Sequence, residues 1–171
     1  MFNSFRGGIL LKKLCLVMAL VCLMAGCGAE ETMETVADEQ VLAQAAAREI
    51  HVELPEETVL PVMQMDTGKL YICQDFEVSV QTLPGGDLDR TVETLSGFSE
   101  EDVMVMETES NGLTRYDFVW SCAGETGPEV GRATILSDGT WHYCLTAMTA
   151  EKHAAEYQEI FNGMFESFTL S

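Results

Sequence analysis

The strongest constraint on the fold of this chain is a pair of turn dipeptides, each placed between two runs of apolar residues. Asn111-Gly112 suits a two-residue type I′ turn, because both central positions of that turn need a positive φ angle. Such a loop places Val105 opposite Phe118. The next pair on the same face, Val103 and Trp120, is also apolar. Turn chemistry and hydrophobic pattern therefore predict the same register for a first hairpin.

A second hairpin is predicted around Asp138-Gly139, which is also a dipeptide that tight turns favour. A two-residue loop at these positions sets Leu136 opposite Trp141 and Ile135 opposite His142. Between the two hairpins, residues 123–131 are mostly small or acidic, as is typical of a loop. We therefore expect an antiparallel meander over three strands, at residues 113–122, 130–137 and 140–148.

An earlier strand and a short helix precede these hairpins. Residues 70–83 are rich in β-branched and aromatic side chains, and Pro84-Gly85-Gly86 predicts a turn after them. Asp87 is a suitable N-cap for the helix that follows, and Gly97 suits its C-terminus. One helical face between them is apolar, with Leu88, Val92 and Leu95.

A second helix is predicted near the end of the chain. Thr149 is expected to be its N-cap. Its apolar residues recur at spacings of three and four, which indicates a helix that packs on a core. The stripe consists of Ala154, Tyr157, Phe161, Met164 and Phe168, and it is widened by Ile160 and Phe165.

The predicted element order is β-α-β-β-β-β-α, an antiparallel sheet with an early helix and a C-terminal amphipathic helix. Such an order is typical of an α+β domain. We assign this single domain to residues 70–171. Residues 49–69 contain two prolines and are predicted to be an extended lead-in. Residues 27–48 are acidic and then alanine-rich, which predicts a tether with helix-forming residues over 38–48.

The first 26 residues have the parts of a secretory signal peptide. Arg6, Lys12 and Lys13 precede an uncharged run from Leu14 to Ala25, and no acidic residue occurs before position 30. The run is too short to cross a bilayer, which takes about 20 apolar residues. We therefore expect these residues to be removed from the mature protein.

Met24-Ala25-Gly26-Cys27 resembles the lipobox of bacterial lipoproteins, with Met24 where leucine is usual. The resemblance implies that Cys27 carries a diacylglycerol, with acyl chains such as palmitate, and becomes the first residue of a protein anchored on the extracytoplasmic face of the cell membrane. Each buried CH₂ contributes about 0.8 kcal/mol, so two or more chains anchor firmly. Two alternatives stay open: a secreted protein cut after Ala29, and an uncleaved anchor.

The element order, the stretch DFEVSVQTLP at residues 75–84 and the closing amphipathic helix ending in ESF resemble the PsbP/Mog1-like fold of many small bacterial lipoproteins. The resemblance covers about residues 70–170. It implies an accessory or binding module that is mostly non-catalytic. It supplies no fixed active-site motif, so it assigns a role to no residue here.

The charge of the chain excludes one class of partner. After the leader, six basic residues stand against 28 acidic ones, a formal balance of −22. Proteins that bind nucleic acid neutralise phosphates with a basic face, which this composition does not supply. Repulsion from anionic lipid also opposes a domain that lies flat on a membrane. We expect contact with the membrane through the lipid anchor, and no nucleic-acid partner.

Three further cysteines follow Cys27, and no CxxC motif is present. In the predicted meander one strand separates Cys122 from Cys144, so their Cα atoms lie at least about 9.6 Å apart, beyond the limit of about 7 Å for a disulfide. We expect buried thiols, although Cys73 could meet either of the others. A nucleophilic Cys144 with His142 as its base is the alternative, since both would share one strand face.

Metal binding has little support in the sequence, and we predict no metal site and no cofactor. The histidines are scattered, at His51, His142 and His153. Met63 and Met65, like Met104 and Met106, are paired at a spacing that would suit Cu(I) on a strand. Methionine is also an ordinary core residue. We expect Met106 beside Asp117 and Met104 beside Val119, on a sheet face that is covered.

No motif predicts an enzyme. The chain has no GxSxG sequence, and its two adjacent glycines after Pro84 are too few for a phosphate-binding loop. An aromatic set on the predicted strands is expected to be core rather than a ligand groove: Tyr116, Phe118, Trp120, Trp141 and Tyr143. We therefore expect a non-enzymatic, membrane-anchored accessory module that binds an envelope protein. The alternative is a lipoprotein that binds a small ligand or Cu(I).

Overall fold

An antiparallel sheet of seven strands forms the centre of the fold. The computed structural model describes residues 45–56 and 60–171. The main elements are β1 (Ile50–His51), β2 (Met63–Met65), β3 (Gly68–Ile72), β4 (Phe76–Pro84), α1 (Leu88–Ser96), β5 (Met106–Ser110), β6 (Leu113–Ala123), β7 (Pro128–Ser137), β8 (Trp141–Ala150), α2 (Ala154–Ser167) and β9 (Thr169–Leu170). The seven strands of the sheet lie in the order β2-β3-β4-β8-β7-β6-β5, and the short strands β1 and β9 pair with each other separately.

The predicted α+β architecture is confirmed: a mostly antiparallel sheet carries an early helix and a C-terminal helix. The strand predicted over 70–83 is instead two strands, β3 and β4, joined by a turn. Within the predicted lead-in, Ile50–His51 and Met63–Met65 form β1 and β2, and Ile50, Val52 and Leu54 pack against the core. Residues 45–49 have no regular secondary structure, so the predicted helix over 38–48 does not reach its expected end. The leader, Cys27 and the rest of the tether lie outside the described residues.

The first hairpin has the predicted register. Met106 pairs with Asp117, and Ser110 pairs with Leu113 across the turn. Asn111 and Gly112 adopt φ angles of 53° and 75°, as a type I′ turn requires. The meander is also confirmed, because β7 lies between β6 and β8. Cys122 and Cys144 are accordingly both free thiols.

The predicted register of the second hairpin is wrong by two residues. Leu136 pairs with Tyr143, and Ile135 pairs with Cys144. The cause is Asp138, whose Oδ1 accepts hydrogen bonds from the backbone N–H groups of Thr140 (2.9 Å) and Trp141 (2.8 Å). Asp138 therefore precedes the turn instead of occupying its first central position, and the loop moves one residue along the chain.

The first helix begins and ends as predicted, whereas the second begins later. Asp87 accepts a hydrogen bond from the backbone N–H of Arg90, and Gly97 closes α1 at φ 79°. The prediction of Thr149 as an N-cap is wrong. Strand β8 continues to Ala150, and the Thr149 hydroxyl donates to the carbonyl of Asp75 at 2.7 Å. A 3₁₀ turn over Glu151–His153 then leads into α2.

Two apolar layers cover the two faces of the sheet. The layer under α2 is the larger, and its fully or nearly buried members include Phe76, Val78, Tyr143, Leu145, Phe161, Met164, Phe165 and Phe168. The layer under α1 consists of Val92, Phe118, Trp120, Ala133, Ile135 and Cys144. Phe161, Met164, Phe165 and Phe168 of the predicted α2 stripe are thus confirmed as core, with Tyr157 packed against them. Ala154 is only half-buried, and Ile160 is 39% exposed.

The N-terminal end of the described chain is fixed at the β7–β8 turn. The Tyr143 hydroxyl accepts a hydrogen bond from the backbone N–H of Arg48 and donates one to Asp138 Oδ2, both at 2.8 Å. Trp141 Nε1 donates to the carbonyl of Ala45 at 2.7 Å. Burial would raise the pKa of Asp138, but its backbone and phenol donors outweigh that effect and lower the pKa.

We predict opposite effects for the same substitution at two glycines. Gly131→Ala should destabilise the protein by about 1–3 kcal/mol, because the ring of Trp120 occupies the space of the new Cβ. Gly163→Ala should stabilise it by about 0.5–1 kcal/mol, because the site lies in α2 with no neighbour within 4 Å. Urea unfolding of both variants measures the two effects. Equal effects at the two positions would contradict the packing of Trp120 on Gly131.

Candidate interaction surface

Strand β5 is the outermost strand at one end of the sheet, and all five of its residues are exposed. In a hairpin with a two-residue turn, hydrogen-bonded and non-hydrogen-bonded pairs alternate from the turn outward. Ser110 and Leu113 flank the turn, so Thr108 and Met106 also bond to β6. The backbone N–H and C=O groups of Glu107 and Glu109 therefore point away from the sheet. Within the described residues, no strand pairs with this outer side.

The α2 side of this edge carries an exposed apolar patch, formed by Met104, Met106 and Val119. These side chains are 81%, 62% and 63% exposed, respectively. Val103 and Val105 pack into the layer under α1. Met104 and Met106 alternate with these valines and so lie on the other side. We expected the two methionines on a covered face, and that prediction is wrong because α2 does not extend over β5.

The α1 side of the same edge is acidic. Glu107 lies opposite Tyr116, and Glu109 is the next residue on that side. Burial raises the pKa of the Tyr116 phenol, and the charges of Glu107, Glu100 and Glu109 raise it further. The 3₁₀ turn Glu100–Asp102 adds further carboxylates just before β5. The edge thus has one apolar side and one acidic side.

A half-buried polar cluster supports the sheet beside the apolar patch. Arg115 Nε donates to Asp117 Oδ2 at 2.7 Å, and the Thr134 hydroxyl donates to Asp117 Oδ1. Arg115 also donates to the carbonyl of Phe165, which ties β6 to α2. Burial of Asp117 raises its pKa, but its hydrogen bonds from Arg115 and Thr134 and the charges of Arg115 and Arg132 give a net lowering. Arg115 therefore has its carboxylate partner within the fold.

The two methionine pairs cannot form one copper site. Met63 and Met65 lie on β2, whereas Met106 lies on β5, and these strands are the two ends of the seven-stranded order. Six strand spacings separate them, which amounts to roughly 29 Å. Each pair alone supplies two thioethers.

The Cys144 and His142 pair is buried under α1. The side chains lie on one sheet face as predicted, and His142 is 4% exposed while Cys144 is fully buried. His142 Nδ1 lies 2.8 Å from the Thr91 hydroxyl, and Cys144 Sγ lies 3.7 Å from the His142 carbonyl. Burial raises the pKa of the Cys144 thiol and lowers that of His142. A thiol held in its protonated form without access to solvent is a poor nucleophile.

Cys122 lines an open cleft of about 530 Å³ between the ends of β6 and β7. Its neighbours are the small residues Ala123, Gly124 and Gly127, with Ser121 and Pro128. Burial and the charge of Glu129 raise the pKa of the Cys122 thiol. Cys73 is half-buried and packs against the layer under α2. Both thiols were expected to be buried, and both are only half-buried.

The remaining candidates are dispersed. His51 lies in β1 and His153 precedes α2, where it lies 3.4 Å from Glu156. In residues 45–56 and 60–171, no three His, Cys, Asp or Glu side chains group as metal ligands.

Of the aromatic set, Phe118, Trp120 and Tyr143 are buried as predicted, and Tyr116 and Trp141 are half-buried. Across the same described ranges, no helix is both long and apolar enough to span a membrane.

Comparisons with known proteins give no family assignment. No family model matches the chain. No curated protein matches its sequence. One similar structure is LpqN of Mycobacterium tuberculosis, described as involved in cell envelope biogenesis, at 13% identity and a TM-score of 0.48, covering 76% of this chain and 87% of LpqN.

Two further similar structures come from the families that the sequence resembles. Cyanobacterial PsbP of Synechocystis sp. PCC 6803 matches at 11% identity and a TM-score of 0.47, covering 66% of this chain and 79% of PsbP. The Saccharomyces cerevisiae Ran-binding protein Mog1p matches at 12% identity and a TM-score of 0.47, covering 71% of this chain and 89% of Mog1p. At such values the likeness carries no information on activity, ligand or partner.

The sequence reasoning singled out Met104 and Met106 but missed Val119, Glu107 and Glu109 as parts of one surface. The sequence does contain a signal for this surface. Only the first residue of Met106–Ser110 is apolar, and the acidic run Glu100–Asp102 lies shortly before it. Central strands are richer in apolar residues, so this composition is typical of an edge strand.

We predict that Asp117→Asn lowers stability at neutral pH by about 2 kcal/mol, because the Arg115 and Thr134 donors lose a charged acceptor. The pKa of Asp117 is lowered in the folded state, so its contribution is present above the unfolded pKa and disappears as pH falls through the lower folded pKa. The difference between the wild-type protein and the variant should therefore shrink below about pH 4. Thermal unfolding between pH 2.5 and 7 measures it.

The control is Glu101→Gln, which removes one exposed negative charge near the same edge. It should change stability by less than about 0.5 kcal/mol at any of these pH values. A difference between wild-type and Asp117→Asn proteins that stays constant down to pH 2.5 would contradict the ion pair with Arg115.

Proposed function

We propose that this protein is a non-catalytic module, anchored by lipid to the extracytoplasmic face of the cell membrane, that binds a protein partner there. The observation that carries the binding role is the exposed edge strand β5 with its apolar patch of Met104, Met106 and Val119. Exposed apolar residues grouped at one place are typical of protein-binding surfaces.

The anchoring role is supported by the leader. An uncharged run ends at Met24-Ala25-Gly26-Cys27, the lipobox-like sequence, and the acidic residues all follow it. Ala45, whose carbonyl accepts a hydrogen bond from Trp141, lies 18 positions after Cys27. At about 3.3 Å per residue, that length allows the domain to reach up to about 60 Å from an anchor at Cys27.

The burial of Cys144, the candidate nucleophile, supports a non-catalytic role. Cys144 is fully buried and its pKa is raised, so it cannot meet a substrate without opening the layer under α1. Arg115 and Asp117, which lie beside the apolar patch, bind each other and Thr134. Their hydrogen-bonding capacity is used to join β6, β7 and α2.

We predict that Cys27→Ala moves the protein from the membrane fraction to the soluble extracytoplasmic fraction and abolishes incorporation of labelled palmitate. Cell fractionation with quantitative blotting measures the first effect, and gel fluorography measures the second. Cys122→Ala is the matched control, since it removes another thiol and should leave both readouts unchanged. Palmitate incorporation that persists in Cys27→Ala would contradict lipidation at this residue.

We also predict that a photo-crosslinking amino acid at position 104 captures one stoichiometric partner in native membranes. The same amino acid at position 60 is the control, because Leu60 is 78% exposed and precedes β2 at the other end of the sheet. Mass spectrometry of the crosslinked band identifies the partner. Equal capture from both positions, or from neither, would contradict a binding surface at β5.

A further inference from the structure

We propose that β5 accepts an extended segment of a partner protein as an added strand, and that basic and apolar residues alternate in this segment. The proposal rests on the protein-binding role above and names the chemistry of the partner. The added segment would extend the seven-stranded sheet beyond its present edge.

The backbone of β5 supplies the hydrogen bonds for such an addition. The register with β6 leaves the N–H and C=O groups of Glu107 and Glu109 directed outward. All residues from Met106 to Ser110 are exposed, so a second chain can approach along the full strand. Unpaired edges of this kind pair readily with another extended chain.

The side chains of the edge set the pattern of the segment. A strand points successive side chains to opposite sheet faces. On the α2 side, an added strand meets Met106 and then the exposed Met104. On the α1 side it meets Glu107 and Glu109. A segment that alternates apolar and basic residues matches both sides at once.

Charge decides between a partner protein and a second copy of this chain. Residues 98–110 contain five acidic residues and no basic one, and the whole chain has a formal net charge of −19. Such a field attracts a cationic segment and increases its rate of association. A second copy would place its own β5 glutamates against Glu107 and Glu109, and like charges directly opposite are destabilising.

The edge also has features that oppose non-specific pairing. β5 is only five residues long, and its two glutamates face one side of the strand. Short strands and charged side chains are common protections of sheet edges. An acidic or wholly apolar segment is therefore disfavoured, whereas a basic one neutralises the charge that protects the edge.

The test uses full-length lipidated protein in nanodiscs of phosphatidylcholine, which has no net charge and does not attract a basic peptide. The probe is a fluorescent nine-residue peptide of alternating lysine and valine, and its binding is measured by fluorescence anisotropy. A permuted peptide, with the same lysines in one block and valines in the other, is the composition control. We expect at least tenfold tighter binding of the alternating peptide. Equal binding would reveal charge attraction alone and would overturn the proposal.

Two pairs of variants test the backbone and the apolar side. Glu107→Pro removes one outward N–H, and Glu107→Gln removes the same charge while keeping that N–H. We expect Glu107→Pro to bind at least tenfold more weakly than Glu107→Gln, with β5–β6 pairing verified by an unchanged circular dichroism spectrum. Met106→Lys should weaken binding at least fivefold, whereas Met65→Lys on β2 should not. Equal binding within either pair would overturn strand addition at β5.

Two further outcomes separate this inference from the proposed function. Sedimentation that shows a dimer, lost in Glu107→Pro, would make a second copy the occupant and would overturn the inference. Capture of a partner from position 104 without binding of the alternating peptide would also overturn strand addition, while the protein-binding role would stand. Failure of both experiments would overturn both proposals.

Discussion

The structure depends on a central strand, β8, that must be covered on both faces. Nearly all of its residues from His142 to Thr149 are buried. Tyr143, Leu145 and Ala147 belong to the layer under α2, whereas Cys144 belongs to the layer under α1. Because β8 is buried on both faces, one helix has to lie on each side of the sheet. The aromatic stripe of α2 and the shorter apolar face of α1 meet this requirement.

Coverage of the centre leaves the ends of the sheet open. Two helices of nine and fourteen residues cannot extend across seven strands, so the outer strands lie beyond them. At one end, this exposes Met104, Met106 and Val119 on one face and the glutamates of β5 on the other. The same geometry that stabilises the core therefore creates the surface that we propose for binding. The Arg115–Asp117 pair marks the boundary, since it joins β6 to α2 just inside the exposed strand.

The fold and the candidate surface differ in how much of them the sequence revealed. Asn111-Gly112 correctly predicted the register of the first hairpin, because a type I′ turn depends mainly on its two adjacent central residues. Asp138-Gly139 gave a wrong register, because Asp138 instead binds the N–H groups of Thr140 and Trp141 and the phenol of Tyr143. Thr149 failed as a helix cap for a similar reason, since its hydroxyl bonds to Asp75, which is distant in sequence. Sequence preferences for turns and helix caps therefore give wrong predictions where the polar side chain forms hydrogen bonds to residues of another element.

The sequence by itself determined the α+β class, the first hairpin register, the limits of α1 and the core stripe of α2, because each depends on periodicity or on neighbouring residues. It also determined the acidic charge. Only the tertiary structure decided that Met104 and Met106 are exposed and that β5 is an edge. The physical reason is that exposure depends on which strands and helices become neighbours. Strand order brings together residues that no local pattern relates.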